Sequence, residues 1–304
     1  MLGTAFPREV FWRSMVFVWL LIGLMAPAVA ARASQPEGAE MQFFVVRSGQ
    51  TGCEPTCPEW ISAEGTIVDE TPALFKKLLK SIGTRRLPIV VTSPGGDVDA
   101  ALAIGRMIRT RKLEAAVGKT RFIGCQPEQQ DCRDNDGKGA RHIGIAYSGE
   151  AYCNSACPLM LAGGTGRVVG EWAFLGVHQI TTTYVQIETQ YRAKYRVVNG
   201  KKKITSKTVV SRRNVGGYKT YEMNKATERK LAAYLAEMGV GRAVIDLMKI
   251  TPAADIRKIE PVAMLEMKLT TKLGGVELLT SVEACRTVPA AANCRVFVMS
   301  DLER

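Results

Sequence analysis

The sequence predicts an α/β fold with parallel strands. Short β-branched runs, amphipathic stretches at helical spacing, and the alternation of the two along the chain together point to it. The 304 residues are 46% hydrophobic and 23% charged, ordinary globular usage that excludes wholesale disorder and coiled coil. The 28 Gly and 13 Pro are scattered without period, which excludes collagen-like and low-complexity structure. Only 2 His occur, so His-dependent chemistry has two candidates, His142 and His178.

Met41 to Arg47 is a β-branched and aromatic run that predicts a strand, and Gly65 to Val68 suggests a second. Thr71 to Ile82 carries Leu74, Phe75, Leu78, Leu79 and Ile82 at helical spacing. Leu87 to Thr92 predicts a strand running into Ser93-Pro94-Gly95-Gly96. Asp97 or Gly96 then caps a helix from about Val98 to Arg111. Strands follow near Ala115 to Val117 and at Ile143 to Tyr147, on either side of a polar excursion at Gly124 to Gly139. Cys153 to Leu161 reads as a turn entering a helix, and Trp172 to Ile180 as the next strand. Leu231 to Lys249 is amphipathic, broken at Gly239 and Gly241 and ended by Pro252, and a further helix is expected around Pro261 to Leu269. No repeat of fixed period is present.

Arg8 and Arg13 precede an apolar run from Met15 to Met25, and Ala28-Val29-Ala30 follows. A basic start, a short apolar core and small residues at the end form a secretory signal peptide over residues 1–30. The run is about half of the ~20 residues that a bilayer-spanning helix needs. The expected location is periplasmic or secreted, with membrane anchoring as the alternative if the segment is not cleaved. The 8 Cys suit an oxidising compartment. By proximity they couple as Cys53 with Cys57, Cys125 with Cys132, Cys153 with Cys157, and Cys285 with Cys294. A zinc site is the competing reading of these residues, but the tight CxxC spacing of a ribbon or finger is missing. Neither a metal nor a cofactor is expected.

From Glu188 to Lys230 there are 13 Lys+Arg against 3 Asp+Glu, a local +10 within a chain of net charge +12. Tyr191, Tyr195, Tyr218 and Tyr221 are interleaved with the cations. Cations with stacking rings can bind single-stranded nucleic acid, but an exported protein favours a solvated insertion or β-ribbon facing an anionic envelope partner.

Three segments carry chemistry. Ser93-Pro94-Gly95-Gly96 lies between a strand and a helix, where it is either a tight turn or a backbone N–H donor for a developing oxyanion. Cys153-Asn154-Ser155-Ala156-Cys157-Pro158 places Ser155 among small residues at the mouth of a helix, as an N-cap or as a nucleophile. A Cys153–Cys157 bridge would span one helical turn, near the upper limit of permitted Cα separations. Leu175-Gly176-Val177-His178-Gln179 closes an apolar strand, where a His is either a core residue or a base. His178 follows Ser155 by 178 − 155 = 23 residues. That is about a helix, a turn and a returning strand, which brings the ring back to the start of the helix. His142, beside Arg141 in a Gly-rich loop, has no such geometry and is expected to be exposed.

Taken together, SPGG, CNSAC and GVHQ in this order resemble the proteolytic subunit of the Clp protease, within the Clp protease/crotonase superfamily, and most of all its exported bacterial relatives. The match runs from about Glu64 to Thr271 with a gap across the basic insertion. The resemblance implies a Clp protease/crotonase-like spiral of ββα units over residues 41–271, with an insertion at 188–230 and a C-terminal extension at 272–304. It implies Ser155 as nucleophile, His178 as general base, and the amides of Gly96 and Ala156 as the oxyanion hole. Asp255 is the best match to the third triad member, with Asp246 and Glu260 as rivals. The implied function is a serine peptidase acting on peptides or unfolded segments in the cell envelope, as a homo-oligomer; export away from cytosolic ATP departs from the family and argues against an ATPase partner. A non-catalytic binding or scaffold protein on the same fold is the alternative. An acyl-CoA enzyme and a Ser-Lys dyad fit the Ser/His pair less well.

Overall fold

The computed structural model describes residues 38–124, 126–127 and 142–296. The signal-peptide segment, Cys125 and Cys132 lie outside the described residues. The chain opens with β1 (Gln42–Ser48) and β2 (Thr56–Glu64). Helix α1 (Thr71–Ser81), β3 (Ile89–Thr92), α2 (Val98–Thr110) and β4 (Ala115–Val117) follow. Next come β5 (Lys119–Ile123), β6 (His142–Tyr147), β7 (Tyr152–Asn154) and α3 (Cys157–Ala162). Strands β8 (Arg167–Val169) and β9 (Phe174–Val177) lead into two long strands, β10 (Thr182–Val198) and β11 (Lys201–Thr220). The remainder is α4 (Lys225–Glu237), α5 (Ala243–Ile250), β12 (Arg257–Lys258), α6 (Pro261–Glu266), α7 (Glu277–Thr280), α8 (Glu283–Arg286) and β13 (Cys294–Val296).

The main sheet has the order β5-β6-β1-β2-β3-β4-β8, with β13 also paired to β2. Pairing is parallel from β2 through β3 and β4 to β8, as the strand–helix alternation predicts. These strands are buried on both faces. Ile61, Ile89, Val91, Ala115 and Val117 join the core beneath the helices. Their neighbours Trp60, Val90 and Ala116 point the other way, into a second cluster with Val276 and Leu279. The C-terminal segment thus supplies the cover for the far face of the sheet, as a two-faced parallel sheet requires. Asn293 ties it down by donating Nδ2 to the carbonyls of Glu59 and Leu279, each at 3.0 Å.

A second small sheet, β12-β9-β7, carries the site. Its β7 and β9 are parallel, with Cys153 opposite Leu175 and Asn154 opposite Gly176. It joins the main sheet where Ser93, just past β3, pairs in parallel with Cys153.

Several expectations are corrected. The strand placed at Gly65 to Val68 is only a pair of isolated bridges, Glu40 with Thr66 and Ile67 with Gly96. The real second strand is β2, which Pro58 and Glu59 disguise. Glu59 is buried because Arg85 and Arg295 both pair with it. His142 is not exposed: it opens β6 buried, with its ring edge-on to Phe44 at 5.1 Å and to Phe122 at 5.4 Å. The basic insertion forms a separate antiparallel ribbon from Thr182 to Thr220, and its last basic residues already belong to α4.

Candidate active site

The turn after β3 is fixed by two left-handed glycines, Gly95 at φ +100° and Gly96 at φ +133°. Ile67 clamps it: its N–H donates to the Gly95 carbonyl at 2.8 Å, and its own carbonyl accepts from Asp97 N–H at 2.7 Å. A Cβ on Gly96 would lie 2.0 Å from the Ile67 oxygen, so only glycine fits there. Asp97, as predicted, caps α2 by accepting from Ala100 N–H at 2.7 Å. The Gly96 N–H itself has no intramolecular acceptor among the described residues.

Ser155 stands between β7 and α3 in the left-handed region, at φ +59°. A non-glycine residue held there costs on the order of 1–3 kcal/mol, which the surroundings must over-determine. They do so from three sides. The Ser155 N–H donates to the Gly176 carbonyl at 2.9 Å. Gly95 packs so closely that a Cβ on it would lie 2.5 Å from that of Ser155. A Cys153–Cys157 disulfide closes the turn covalently. Because Cys153 ends in a strand and the chain reverses at Ser155, the bridge does not span a helical turn, and its Cα separation of 5.1 Å is well inside the permitted range. Beyond the turn, Ala156 leads into α3, and its N–H, like that of Gly96, has no intramolecular acceptor among the described residues.

The parallel register of β7 and β9 delivers the histidine. With Asn154 opposite Gly176, Ser155 and His178 leave the two strands at the same end. His178 lies just past β9, and not within the strand predicted for Trp172 to Ile180. Gly96, Ser155, Ala156 and His178 all line one cavity of about 210 Å³, whose apolar wall includes Val98, Leu159 and Met248. Burial pushes the His178 pKa below its ordinary 6.5, against the opposing pull of the nearby Ala253 carbonyl. That carbonyl makes no bond of good geometry to the ring, whose Nδ1 is buried without a partner. Among the described residues no hydrogen bond joins Ser155 to His178.

The structure does not bring Asp255 to His178. Asp255 is exposed in the turn after α5, where its N–H closes on the Pro252 carbonyl at 3.0 Å. Asp246 on α5 and Glu260 before α6 are exposed as well. The group from this segment that acts on the ring is the Ala253 main chain, and no side-chain pattern in the sequence signals a carbonyl. Asn154, adjacent to the serine, was also missed. Its Oδ1 is a second buried atom without a partner and packs against the Gly176 backbone.

Disulfides join Cys53 to Cys57 and Cys285 to Cys294 as well as Cys153 to Cys157. Among the described residues, the one group that could gather around a metal is Cys53, Glu54 and Cys57. Its two sulfurs are already bonded to each other, which leaves no thiolate to ligate.

Fold and site therefore define an α/β protein in which a strained serine, a half-buried histidine and two N–H groups without acceptors among the described residues face one cavity. No protein-family model matches the chain, and no curated protein matches it. Solved structures do resemble it. A mutant of the 1510-N membrane-bound stomatin-specific protease is 12% identical with a TM-score of 0.40, covering 74% of this chain and 83% of that one. A second mutant of that protease, in complex with a substrate peptide, is 14% identical with a TM-score of 0.38, covering 70% and 73%. A mutant of ClpP1 from Listeria monocytogenes is 14% identical with a TM-score of 0.38, covering 72% and 94%.

Proposed function

We propose that the chain is a serine hydrolase of the peptidase class, working by acyl transfer on peptides or unfolded segments in the cell envelope. The observation that carries this reading is the convergence of Gly96, Ser155, Ala156 and His178 on one cavity, with both N–H groups free to donate. In the proposed reaction the Ser155 oxygen attacks the substrate carbonyl while His178 takes the hydroxyl proton. The oxyanion so formed accepts hydrogen bonds from the Gly96 and Ala156 amides. His178 then returns the proton to the leaving amine as the C–N bond breaks, and water, deprotonated in turn, releases the acyl group from Ser155. With no carboxylate placed at the ring among the described residues, the proposed machinery is a Ser-His pair. Export, assembly as a homo-oligomer and independence from an ATPase partner belong to the same proposal.

The pH profile tests the assignment of the base. A general base must be neutral, and burial favours the neutral ring, so activity should be lost as pH falls through the folded-state pKa. The acidic limb of kcat/KM for an activated ester or a peptide is expected to have its midpoint below 6.5. Ser155→Ala and His178→Ala are each expected to lower kcat by about 10⁶-fold. Unchanged turnover in His178→Ala, or an acidic limb well above pH 6.5, would remove His178 from the mechanism. A second reading, a non-catalytic binding protein on this fold, draws on the missing Ser155–His178 hydrogen bond. Such bonds are often long before substrate arrives, and inactivity of the folded wild type would favour this reading.

A further inference from the structure

The ribbon of β10 and β11 is the largest feature that the proposed chemistry does not use. It forms a two-stranded sheet of its own, and its 17 paired residues reach roughly 55 Å at the ordinary rise per residue. An isolated hairpin of this kind is marginal in water and gains from a partner surface. Side chains alternate across it, and the register sorts them. One face gathers Ile187, Tyr191, Tyr195 and Val197 from β10, opposite Val209 and Ile204 from β11. All six are between 43% and 59% exposed. Cations stand among them: Lys202 lies over the Tyr195 ring at 4.7 Å and Lys207 over Tyr191 at 5.9 Å. The other face is mostly polar, with Glu188 paired to Arg213 at 2.7 Å, and its apolar groups are Val198 at the tip and Tyr184 stacked on Tyr218 at the base. Between Thr182 and Thr220 there are 10 Lys+Arg and a single acid, Glu188.

We infer that this face of the ribbon docks on an anionic lipid surface. The apolar side chains would enter the headgroup boundary, with tyrosines at the depth they favour, while the lysine stems extend toward the phosphates. Because the ribbon is thin, cations on both of its faces lie within about one Debye length of that surface. A second copy of the chain is a poorer occupant. It would set Lys202 and Lys207 of each copy against their counterparts, and the three register shifts, whose extra residues all lie on β11, interrupt that edge against strand addition. Among the described residues no helix is long and apolar enough to cross a membrane, so the ribbon would lie on the bilayer. This inference stands independently of the proposed catalysis.

Vesicle sedimentation of the full-length chain tests it, with phosphatidylcholine vesicles compared against phosphatidylcholine–phosphatidylglycerol vesicles. Wild type is expected to partition more strongly onto the anionic vesicles and to lose that excess at high salt. The triple variant Tyr191→Thr, Tyr195→Thr, Ile204→Thr keeps the charge and the strand propensity. It is expected to lose at least about tenfold of the anionic excess, as should Lys202→Glu with Lys207→Glu. Gln186→Ser with Gln190→Ser, on the opposite face, should change nothing, and circular dichroism confirms that each variant folds. Equal partitioning onto both vesicle types would overturn the inference. So would triple-variant binding equal to wild type, oligomer dissociation in the triple variant with lipid binding intact, or ribbon-dependent binding of a single-stranded oligonucleotide but not of vesicles.

Discussion

Gly96→Ala is expected to remove turnover and much of the stability together. A Cβ at this position would sit 2.0 Å from the Ile67 carbonyl oxygen, which is main chain and held by Asp97. The residue also keeps φ at +133°, where an L side chain is strained by on the order of 1–3 kcal/mol. The turn can relieve the clash only by moving away from Ile67, which breaks the clamp and redirects the Gly96 N–H away from the cavity. Loss of one oxyanion donor lowers kcat by about 10²–10³-fold, and the broken clamp should cost about 3 kcal/mol or more in a urea titration. Gly83→Ala is the matched control. Gly83 is also left-handed, at φ +62°, but has nothing within 4 Å of its would-be Cβ. It should cost about 1 kcal/mol and leave kcat unchanged. If Gly96→Ala proves no worse than Gly83→Ala, the turn is not the rigid donor described above.

Arg167→Met is expected to give the largest loss of stability without touching the cavity. Arg167 opens β8 only 3% exposed, and among the described residues its guanidinium pairs with no carboxylate. Its guanidinium instead donates to the carbonyls of Gly164 and Lys268, both at 2.6 Å, and of Leu269 at 3.0 Å. Burial, with Arg109 alongside, pulls its pKa down to about 10, so the cation persists at neutral pH. The side chain thereby fastens the segment after α6 to the end of α3, the helix that follows the Ser155 turn. Methionine fills similar volume but leaves three carbonyls without donors, each worth about 1–3 kcal/mol when buried. A loss of about 3 kcal/mol or more is expected in the unfolding midpoint. Arg167→Lys should recover only part of it, since one ammonium cannot reproduce the planar fork. A loss under about 1 kcal/mol for the methionine variant would show that water replaces the fork and that the anchor is dispensable.

The parts of this fold that were legible in the sequence are those written in local pattern. Helices α1 and α2 announce themselves by apolar spacing, and the break between α4 and α5 by Gly239 and Gly241. The cavity was legible because three short segments carry its residues and the spacing between them suits a helix and a return strand. What failed depends on distant partners. Strand β2 has no local signature because a buried glutamate is tolerable only when two arginines, one of them 236 residues away, meet it. His142 reads as exposed from its Gly-rich neighbours and is buried by Phe44 and Phe122 from other strands. Asp255 was chosen by side-chain type, whereas the turn presents the Ala253 backbone to the ring and sends the carboxylate outward. The C-terminal cover of the sheet had no signature, because Val276 and Leu279 face a surface that only the folded sheet creates.

Covalent labelling with a fluorophosphonate, read by intact mass and peptide mapping, tests the central claim most directly. An activated serine should take up one adduct, mapped to Ser155, faster at neutral than at acidic pH. The adduct should be absent from Ser155→Ala and His178→Ala variants that unfold at the wild-type midpoint. Folded wild type that stays unmodified, or an adduct mapped to any other residue, would contradict the account of Ser155 as a nucleophile.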